Sequence, residues 1–393
     1  MRLQTQAILV SFCCPLFLCG QGYWTQKADF ISNGKRVAAA FSIGNKGYVG
    51  IGRDSFNYTN DFWEWDQATN AWSQKANFPG GPRVLAVGFS IGSKGYVGTG
   101  WSGTSDTQDI YEYDPFVNSW TPKASLSGLA REGAVAFSIG TKGYIATGYN
   151  FFSNGYFQDL WEYDQSSDTW SQKASFGGAS RAYAVAFSIG ARGYVGTGYD
   201  GVSQKQDFWE WDQSSNTWFQ KSNFGGTGRS WAVGFSIGTK GYIGTGSVYC
   251  QDFWMWDQNT DAWIQKAVFS GIGRNGAIGF SIGNKGYLGL GLGTGGTYPK
   301  DFYEYTPDSL TSTEETENVE VKIYPNPCYG RLNIKTNILE SEIQIFNLSG
   351  QVVCTVELKD YYSEIDTALL PAGVYFLKII SGSKTFSQKL VIR

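Results

Sequence analysis

One sequence unit of roughly 48 residues occurs six times in this chain, and this repetition limits the possible folds more than any other feature. Each copy contains an Arg, an apolar run ending in Phe-Ser-Ile-Gly, a Gly-x-Gly or similar segment, a variable loop, an Asp followed by aromatic residues, and a Trp. The Phe-Ser-Ile-Gly segments begin at Phe41, Phe89, Phe137, Phe187, Phe235 and Phe280. Such a period is typical of an array of similar units rather than of a single enzyme core.

Each copy has the pattern of four short strands joined by tight turns. In the third copy, residues 134–139 form an apolar run and residues 144–147 follow a Gly-containing turn. Residues 160–163 then alternate with the period of two that indicates a third strand, and Trp170 begins the fourth strand after a polar turn. One unit cannot bury its own faces, whereas units stacked radially can. The sequence therefore predicts an all-β protein whose main part is a six-bladed β-propeller.

The two ends of the repeat region predict how the ring closes. The last copy stops at Thr306 without a fourth strand. The missing strand matches residues 23–28, which precede the first full copy and resemble residues 71–76. We therefore expect the N-terminal strand to complete the sixth blade beside residues 301–305, which leaves no free sheet edge.

The chain is predicted to contain two folded domains and two other segments. Residues 1–20 have the positive start and apolar core of a signal peptide, and that core is too short to be a transmembrane segment. Residues 21–307 carry the repeats, and residues 308–318 form an acidic, Ser/Thr-rich linker. Residues 319–393 alternate with a period of two and predict a small C-terminal β-sandwich.

Composition restricts the chemistry that this chain can perform. The net charge is −3 with mixed signs, so we expect no nucleic-acid partner. The chain contains no histidine, which removes the commonest general base and histidine-ligated metal sites, and we expect neither a cofactor nor a metal. Three cysteines lie beyond the signal peptide: Cys250 stands alone, and Cys328 and Cys354 either pair or remain free thiols.

The repeat resembles the kelch repeat over residues 22–305. The resemblance rests on paired glycines, a later Tyr-Asp or Trp-Asp, and a downstream Trp. Examples are Gly98-Thr99-Gly100, Gly196-Thr197-Gly198, Tyr113-Asp114, Tyr163-Asp164, Trp120 and Trp170. Kelch glycines are usually adjacent, whereas one residue separates them here. The resemblance implies a galactose-oxidase-like propeller without implying an activity, because kelch propellers include oxidases, isomerases and binding modules. The copper site of the kelch-type oxidases requires histidines, so that activity is excluded.

Four motifs near the C-terminus resemble the type A sorting domain of the type IX secretion system. They are Tyr324-Pro325-Asn326-Pro327, Phe346-Asn347-Leu348-Ser349-Gly350-Gln351, Leu370-Pro371-Ala372-Gly373-Val374-Tyr375 and Lys389-Leu390-Val391-Ile392. The resemblance implies export to the periplasm of a Gram-negative cell and then passage across the outer membrane, with the type IX machinery as partner. It also implies a cut within residues 306–320, followed by release or attachment at the cell surface.

The candidate binding surface is the end of the propeller that carries the variable loops. The loop between the second and third strands is the most variable part of the repeat, and variable loops on a constant scaffold commonly carry function. Aromatic residues in these loops suit stacking on a sugar or packing on a protein. The candidate aromatic residues are Tyr58, Trp101, Phe152, Tyr199 and Tyr249.

One arginine per copy lies in the segment between blades, at the same end as the variable loops. These residues are Arg36, Arg83, Arg131, Arg181, Arg229 and Arg274. In one interpretation they form a cationic mouth that binds the carboxylates of an acidic glycan or peptide. In the other, each Arg pairs with a carboxylate of the repeat and braces the blades. The candidate partners are Glu64, Glu112, Glu162, Glu210 and Glu304, with Met255 at the corresponding position of the fifth copy.

The sequence favours a secreted or cell-surface binding propeller that recognises a glycan or a protein, and it offers no catalytic residue. The alternative is a glycan-active hydrolase or lyase, and a glycosidase needs two converging carboxyl groups. The loops contain Asp54, Asp106 and Asp200 but no glutamate. Residues 166–170 resemble an Asp-box superficially, although turn chemistry explains them. A structural role in adhesion or surface assembly is a further alternative.

Overall fold

The computed structural model describes residues 21–308, 321–336, 341–347, 351–358, 360–381 and 384–393. The chain divides into two compact units after Asp308, and each is described separately. The predicted signal peptide lies outside the described residues, as does the predicted linker apart from Asp308. The described residues form an all-β protein, in which the short 3₁₀ segments Ser247–Tyr249 and Thr294–Gly296 are the exceptions.

Residues 21–308 form six four-stranded antiparallel sheets, which we number blades 1 to 6 from the sheet that begins at Ala39. The first strands are Ala39–Ile43, Val87–Ile91, Val135–Ile139, Val185–Ile189, Val233–Ile237 and Ile278–Ile282. The second strands are Lys46–Gly50, Lys94–Gly98, Lys142–Ala146, Arg192–Gly196, Lys240–Gly244 and Lys285–Gly289. The third strands are Phe62–Asp66, Ile110–Asp114, Leu160–Asp164, Phe208–Asp212, Phe253–Asp257 and Phe302–Thr306. The fourth strands are Ala71–Lys75, Ser119–Lys123, Thr169–Lys173, Thr217–Lys221, Ala262–Lys266 and, for blade 6, Tyr23–Gln26.

Two ribbons extend beyond these sheets. Tyr149–Asn150 pairs with Gly155–Tyr156 in the variable loop of blade 3. Arg274–Asn275 pairs with Leu292–Gly293 at the corresponding end of blade 6. Both ribbons lie at the end of the propeller where second strands lead into third strands, so they lengthen its variable-loop end.

The repeated Phe and Gly residues pack neighbouring blades against each other. Phe137 of blade 3 lies over Gly193 of blade 4, where an added Cβ atom would stand 2.3 Å from the phenylalanine ring. Any side chain at Gly193 would therefore displace that ring. The equivalent pairs are Phe41 with Gly95, Phe89 with Gly143, Phe187 with Gly241, Phe235 with Gly286 and Phe280 with Gly47. The last pair joins blade 6 to blade 1, so the same contact runs around the whole ring.

A closed ring of backbone hydrogen bonds surrounds the propeller axis, and we call it the axial ring. Its members are Val37, Leu85, Gly133, Tyr183, Trp231 and Gly276. Each amide donates to the carbonyl of the member from the preceding blade, and Val37 closes the cycle on Gly276 at 2.7 Å. All six members have φ between 49° and 61°. The axial ring therefore holds one residue of every blade at an equivalent position around the axis.

The N-terminal strand completes the last blade, as the sequence predicts. Tyr23–Gln26 pairs with Phe302–Thr306, and Trp24 lies opposite Tyr305. The Trp24 indole Nε1 donates to the carbonyl of Ala267 at 3.1 Å. The fourth-strand tryptophans of the other blades make the equivalent bond to the preceding blade: Trp72, Trp120, Trp170, Trp218 and Trp263. Trp24 therefore takes the place in blade 6 that the fourth-strand tryptophan takes in each of the other blades.

The second unit contains seven strands in its described residues. They are Val321–Tyr329, Arg331–Thr336, Ser341–Phe346, Val352–Leu358, Tyr362–Asp366, Gly373–Ser381 and Lys384–Ile392. Val321–Tyr329 pairs with Arg331–Thr336 and, through Cys328, with Ile392 of the last strand, so it links two layers. Side chains of both layers, such as Leu332 and Leu377, share one buried core. This arrangement is the small β-sandwich that the alternating pattern predicts.

The first and last sorting motifs lie against each other. Asn326 donates its side-chain Nδ2 to the carbonyl of Lys389 at 2.8 Å, and its Oδ1 accepts the amide of Val391 at 2.9 Å. Gly373 and Val374 open the neighbouring strand opposite Ile392 and Val391. Gly350 lies outside the described residues. The motif residues therefore hold the terminal strand in place.

The described cysteines are free thiols. Cys328 is buried in the β-sandwich core, while Cys250 and Cys354 are half-buried. Of the two alternatives for Cys328 and Cys354, the structure shows the unpaired one.

Candidate functional site

Five of the six predicted arginines are buried inside the blades. Arg181 is 0% exposed, and its two terminal nitrogens donate to the Asp207 carboxylate at 2.6 and 2.7 Å. Burial favours a raised pKa for Asp207, but the hydrogen bonds and charge of Arg181 lower it below its ordinary value. The same pairing occurs as Arg83–Asp109, Arg131–Asp159, Arg229–Asp252 and Arg274–Asp301. The cationic-mouth interpretation is wrong at these five positions, because the guanidinium groups are enclosed and already hold a carboxylate.

The glutamates expected to pair with these arginines have a different partner. Glu64 accepts the hydroxyl of Tyr48, on the adjacent second strand, at 2.7 Å. Glu112, Glu162, Glu210 and Glu304 accept the hydroxyls of Tyr96, Tyr144, Tyr194 and Tyr287 in the same way. The arginines instead bind the Asp that precedes each third strand, so each ion pair braces its own blade.

Blade 1 departs from this pattern by one residue. Lys35 occupies the buried position: it is 1% exposed, and its Nζ donates to Asp61 at 2.7 Å and to Thr59 at 2.8 Å. Arg36 consequently stands one position later, half-buried, where its backbone exchanges two hydrogen bonds with Arg53 of the variable loop. The shift releases Arg36 from the bracing role and places it beside a second arginine.

Arg36 and Arg53 both line a pocket at the variable-loop end of the propeller axis. Its volume is ≈ 280 Å³. Its lining residues are Arg36, Val37, Arg53, Tyr58, Val84, Leu85, Trp101, Glu132, Phe151 and Trp231. Three of these residues belong to the axial ring, so the pocket lies at the axis and draws on several blades. We call it the axial pocket.

The axial pocket is built from equivalent backbone positions filled by different side chains. The residue after each buried basic residue pairs through its backbone with the first residue of the variable loop. Around the ring, the former positions hold Arg36, Val84, Glu132, Ala182, Ser230 and Asn275. The latter hold Arg53, Trp101, Tyr149, Tyr199, Ser247 and Leu292. Because the strands beneath them are nearly identical from copy to copy, sequence differences between the copies are concentrated at this end.

The predicted aromatic residues divide into three groups. Tyr58 and Trp101 line the axial pocket. Phe152 stands beside it, 69% exposed, with its ring centre 6.1 Å from that of Trp101. Tyr199 and Tyr249 are half-buried and do not line the pocket.

Seven of the ten lining residues were not among the predicted site residues. Four of the seven are charged or aromatic: Arg53, Glu132, Phe151 and Trp231. Glu132 and Trp231 are the first and second residues after a buried arginine, so they lie outside the obvious loop. These two positions change from copy to copy, whereas the buried residue before them is always basic, so a comparison of the six copies would have identified them.

Trp231, which lines the axial pocket, stacks on the ring of Tyr183. Tyr183 and Trp231 lie parallel, with ring centres 4.0 Å apart and planes 11° apart. Tyr183 also covers Gly133, where a Cβ atom would stand 2.4 Å from the ring, and donates its hydroxyl to Glu132 at 3.2 Å. A side chain at Gly133 would push Tyr183 out of this position. The small residue therefore permits the contact that joins Glu132 to the stack.

Glu132 in the axial pocket and Asp106 close to it are two carboxyl groups with raised pKa values. Burial, with a smaller contribution from the nearby Asp106 charge, raises the pKa of Glu132 to about 7, although the Tyr183 hydroxyl opposes this shift. Burial also raises the pKa of Asp106, which accepts the Phe151 amide at 2.8 Å through one oxygen. Its other oxygen has no hydrogen-bond partner among the described residues.

The other two candidate loop carboxylates have structural partners. Asp54 accepts the amides of Phe56 and Asn57 at 2.8 and 2.7 Å and thereby shapes its own loop. Asp200 binds Lys205 and accepts the amide of Ser203 at 2.7 Å. Asp168, in the segment that resembles an Asp-box, accepts the Tyr163 hydroxyl within its turn at 2.7 Å. These carboxylates hold loops and turns rather than facing a ligand.

The residues that the structure describes contain no group of three or more Cys, Asp or Glu side chains that could hold a metal ion. The same residues contain no helix long and apolar enough to cross a membrane.

Comparison with known proteins separates the two units. Residues 322–393 match the family described as secretion system C-terminal sorting domain. This match shows export by the type IX system, to the cell surface or the medium. No curated protein matches the chain.

A structural likeness covers the repeat region. The solved structure titled "Structure of YjhT", a kelch-type propeller, aligns with a TM-score of 0.64 at 18% sequence identity. The alignment covers 72% of this chain and 98% of that chain. At this identity the likeness shows the propeller fold alone.

Proposed function

We propose that this exported protein is a glycan-binding propeller whose ligand enters the axial pocket. The observation that carries the proposal is the convergence of the variable positions of the repeat on one concave site. Six copies with a nearly constant scaffold differ most where Arg36, Trp101 and Glu132 meet. Function commonly lies where variable loops meet on a constant scaffold.

The size of the axial pocket favours a small ligand group. Pockets for small molecules usually have volumes of about 300–1,000 Å³. At ≈ 280 Å³ the axial pocket lies just below that range. One or two sugar units fit such a volume, whereas the standard protein interface of about 800 Å² per partner would spread far beyond it. A protein ligand would therefore have to insert a single side chain or turn.

The side chains of the pocket suit a sugar ring. Trp101 and Trp231 offer aromatic faces, and Arg36, Arg53 and Tyr58 offer hydrogen-bond donors. Sugars present apolar ring faces together with a rim of hydroxyl groups, so aromatic surface beside fixed polar groups matches them. Phe151 and Phe152 extend the apolar surface, since Phe151 lies 5.2 Å from Trp101 between ring centres.

The test is a glycan and polysaccharide binding array with purified residues 21–393. We expect binding that Trp101→Ala reduces at least tenfold. Phe116→Ala is the matched control, because Phe116 is 95% exposed on the turn at the opposite end of blade 2. Silence across the array, or equal loss in both variants, would refute the axial pocket as a glycan site and favour a protein partner or a role in surface assembly.

A second candidate is a glycan-active hydrolase or lyase that uses the same pocket. It is favoured by Glu132, whose raised pKa suits a general acid, and by the nearby carboxyl group of Asp106. Assays of bound glycans for cleavage products test this candidate. Product formed by the native protein and abolished by Glu132→Gln would support it, while intact glycans after long incubation would leave binding alone.

The chain ends complete the proposal. We propose that residues 1–20 direct the chain to the periplasm, and that residues 308–318 are the linker in which the sorting domain, residues 319–393, is removed from the propeller of residues 21–307. This arrangement is supported by the two compact units, which separate after Asp308.

A further inference from the structure

We infer that the glycan bound in the axial pocket carries a carboxylate, and that Arg36 and Arg53 hold it. This inference rests on the proposed function and specifies the ligand class. It concerns the two cationic side chains of the pocket, which the bracing network of the propeller does not use.

The one-residue shift in blade 1 leaves Arg36 outside the bracing network. In blades 2 to 6 the inter-blade arginine is enclosed and satisfied by an aspartate, as in the Arg131–Asp159 pair at 2.5 Å. In blade 1 that role belongs to Lys35, which binds Asp61 at 2.7 Å. Arg36 therefore contributes no brace. Its side chain lines the axial pocket and is available to a ligand.

Arg36 and Arg53 have no countercharge within the propeller residues that the structure describes. Within residues 21–308, neither Arg36 nor Arg53 forms an ion pair with a carboxylate, and the Arg36 Nε atom is buried without a hydrogen-bond partner. The two residues face each other across backbone hydrogen bonds of 2.9 and 3.1 Å. Adjacent guanidinium groups repel each other, and a bound anion relieves that repulsion.

The two guanidinium groups favour a carboxylate as the bound anion. A guanidinium group presents parallel N–H donors that match the two oxygens of a carboxylate. Beside the arginines stands Trp101, whose ring offers a face for the sugar that bears the carboxylate. Glu132 lies in the same pocket and is largely neutral below its pKa of about 7, so it does not cancel the positive charge in acidic media.

The experiment compares matched oligosaccharides by isothermal titration calorimetry with residues 21–393. One set contains uronic-acid oligosaccharides, the second contains the same chains with the carboxyl groups reduced to alcohols, and the third contains sulfated neutral chains. We expect the carboxylated set to bind at least tenfold more tightly than the reduced set. Arg36→Gln and Arg53→Gln should each lower the affinity for the carboxylated set by about 10- to 100-fold, as expected for the loss of a charged hydrogen bond.

The control is Arg192→Gln, because Arg192 lies on the opposite end of blade 4 and binds Asp212 there. It should leave affinity for the carboxylated set unchanged. Equal binding of carboxylated and reduced sets, with no effect of Arg36→Gln but loss in Trp101→Ala, would overturn the carboxylate inference and leave the glycan proposal intact. Preference for the sulfated set would also overturn it. Failure of all three sets to bind would count against both.

Discussion

At the residue scale, the position of one basic residue separates scaffold from site. Arg181 and Arg36 have the same side chain and follow similar sequences, yet Arg181 is enclosed with Asp207 and Arg36 lines the axial pocket. The sequence pattern placed both in one ring because each copy has one such arginine. In blade 1, however, Lys35 binds the carboxylate at the start of the third strand, because a lysine can also reach it. Which neighbouring basic residue turns inward depends on the backbone register, and spacing alone does not reveal it.

The bracing role predicts a large stability difference between two chemically identical substitutions. Arg181→Gln leaves the Asp207 carboxylate half-enclosed without its partner, and we expect it to lower the free energy of unfolding by about 3 kcal/mol. Arg36→Gln should change it by less than about 0.5 kcal/mol. Urea unfolding monitored by tryptophan fluorescence measures both. Similar losses in the two variants would contradict the division of roles.

Glu132 predicts a pH dependence of stability. Its pKa is raised to about 7 in the folded protein, from a value of 4.5 for the free side chain, so the folded state resists ionisation. Below pH 4.5 the side chain is protonated in both the folded and the unfolded protein, and its contribution to the free energy of unfolding is fully present. As pH rises from 4.5 to 7, the carboxyl group ionises first in the unfolded protein, so this contribution falls by up to about 3 kcal/mol. Glu132→Gln should remove this fall and be more stable than the native protein at pH 8.

The measurement is the difference in unfolding free energy between the native protein and Glu132→Gln at pH 5 and pH 8. Titratable groups far from residue 132 contribute equally to both proteins, so their effects cancel in the difference. The neighbouring groups Asp106, Tyr183, Arg36 and Arg53 are also present in both proteins. A difference that stays constant across this range would show that Glu132 ionises normally.

At the element scale, the internal strands were predictable and the pocket was not. Phe-Ser-Ile-Gly and Lys-Gly-Tyr predict the first two strands because buried positions recur in each copy, and the structure places Phe137 over Gly193 accordingly. The N-terminal strand was found because residues 23–28 repeat the fourth-strand pattern. The axial pocket needs side chains from blades 1, 2, 3 and 5 together. Proximity around the axis arises from ring closure and is absent from any single copy.

The N-terminal strand should stabilise the whole propeller. Trp24 packs edge-on against Phe253 and Phe269, with ring centres 4.9 and 5.1 Å away, and lies 5.0 Å from Tyr305. We expect Trp24→Ala to cost about 3 kcal/mol, as large core truncations do, and deletion of residues 21–26 to cost more. Tyr23→Ala, in the same strand but 58% exposed, is the control and should cost little. A melting curve unchanged by the deletion would refute the closing role.

At the scale of the whole molecule, the sorting domain and the proposed binding pocket lie in different units. Residues 322–393 match a sorting family, while the propeller carries the axial pocket. The sorting motifs were recognisable in the sequence because they are short and local. The structure adds their physical role in holding the last strand, through the two hydrogen bonds of Asn326.

Removal of residues 319–393 should leave a folded propeller that remains in the periplasm. The reason is that the propeller residues form a compact unit of their own, whereas the sorting residues lie in the second unit. Cell fractionation with an antibody to the propeller measures the outcome, and a protease-resistance assay checks folding. Normal surface display of the truncated chain would contradict the sorting assignment.

The most direct test of the central claim is a crystal structure of residues 21–393 with the glycan that binds most tightly. We expect the sugar in the axial pocket, against Trp101 and Trp231, with its carboxylate bound to Arg36 and Arg53. A sugar bound instead at the outer edges of the blades, or at the opposite end beside Phe116, would contradict it.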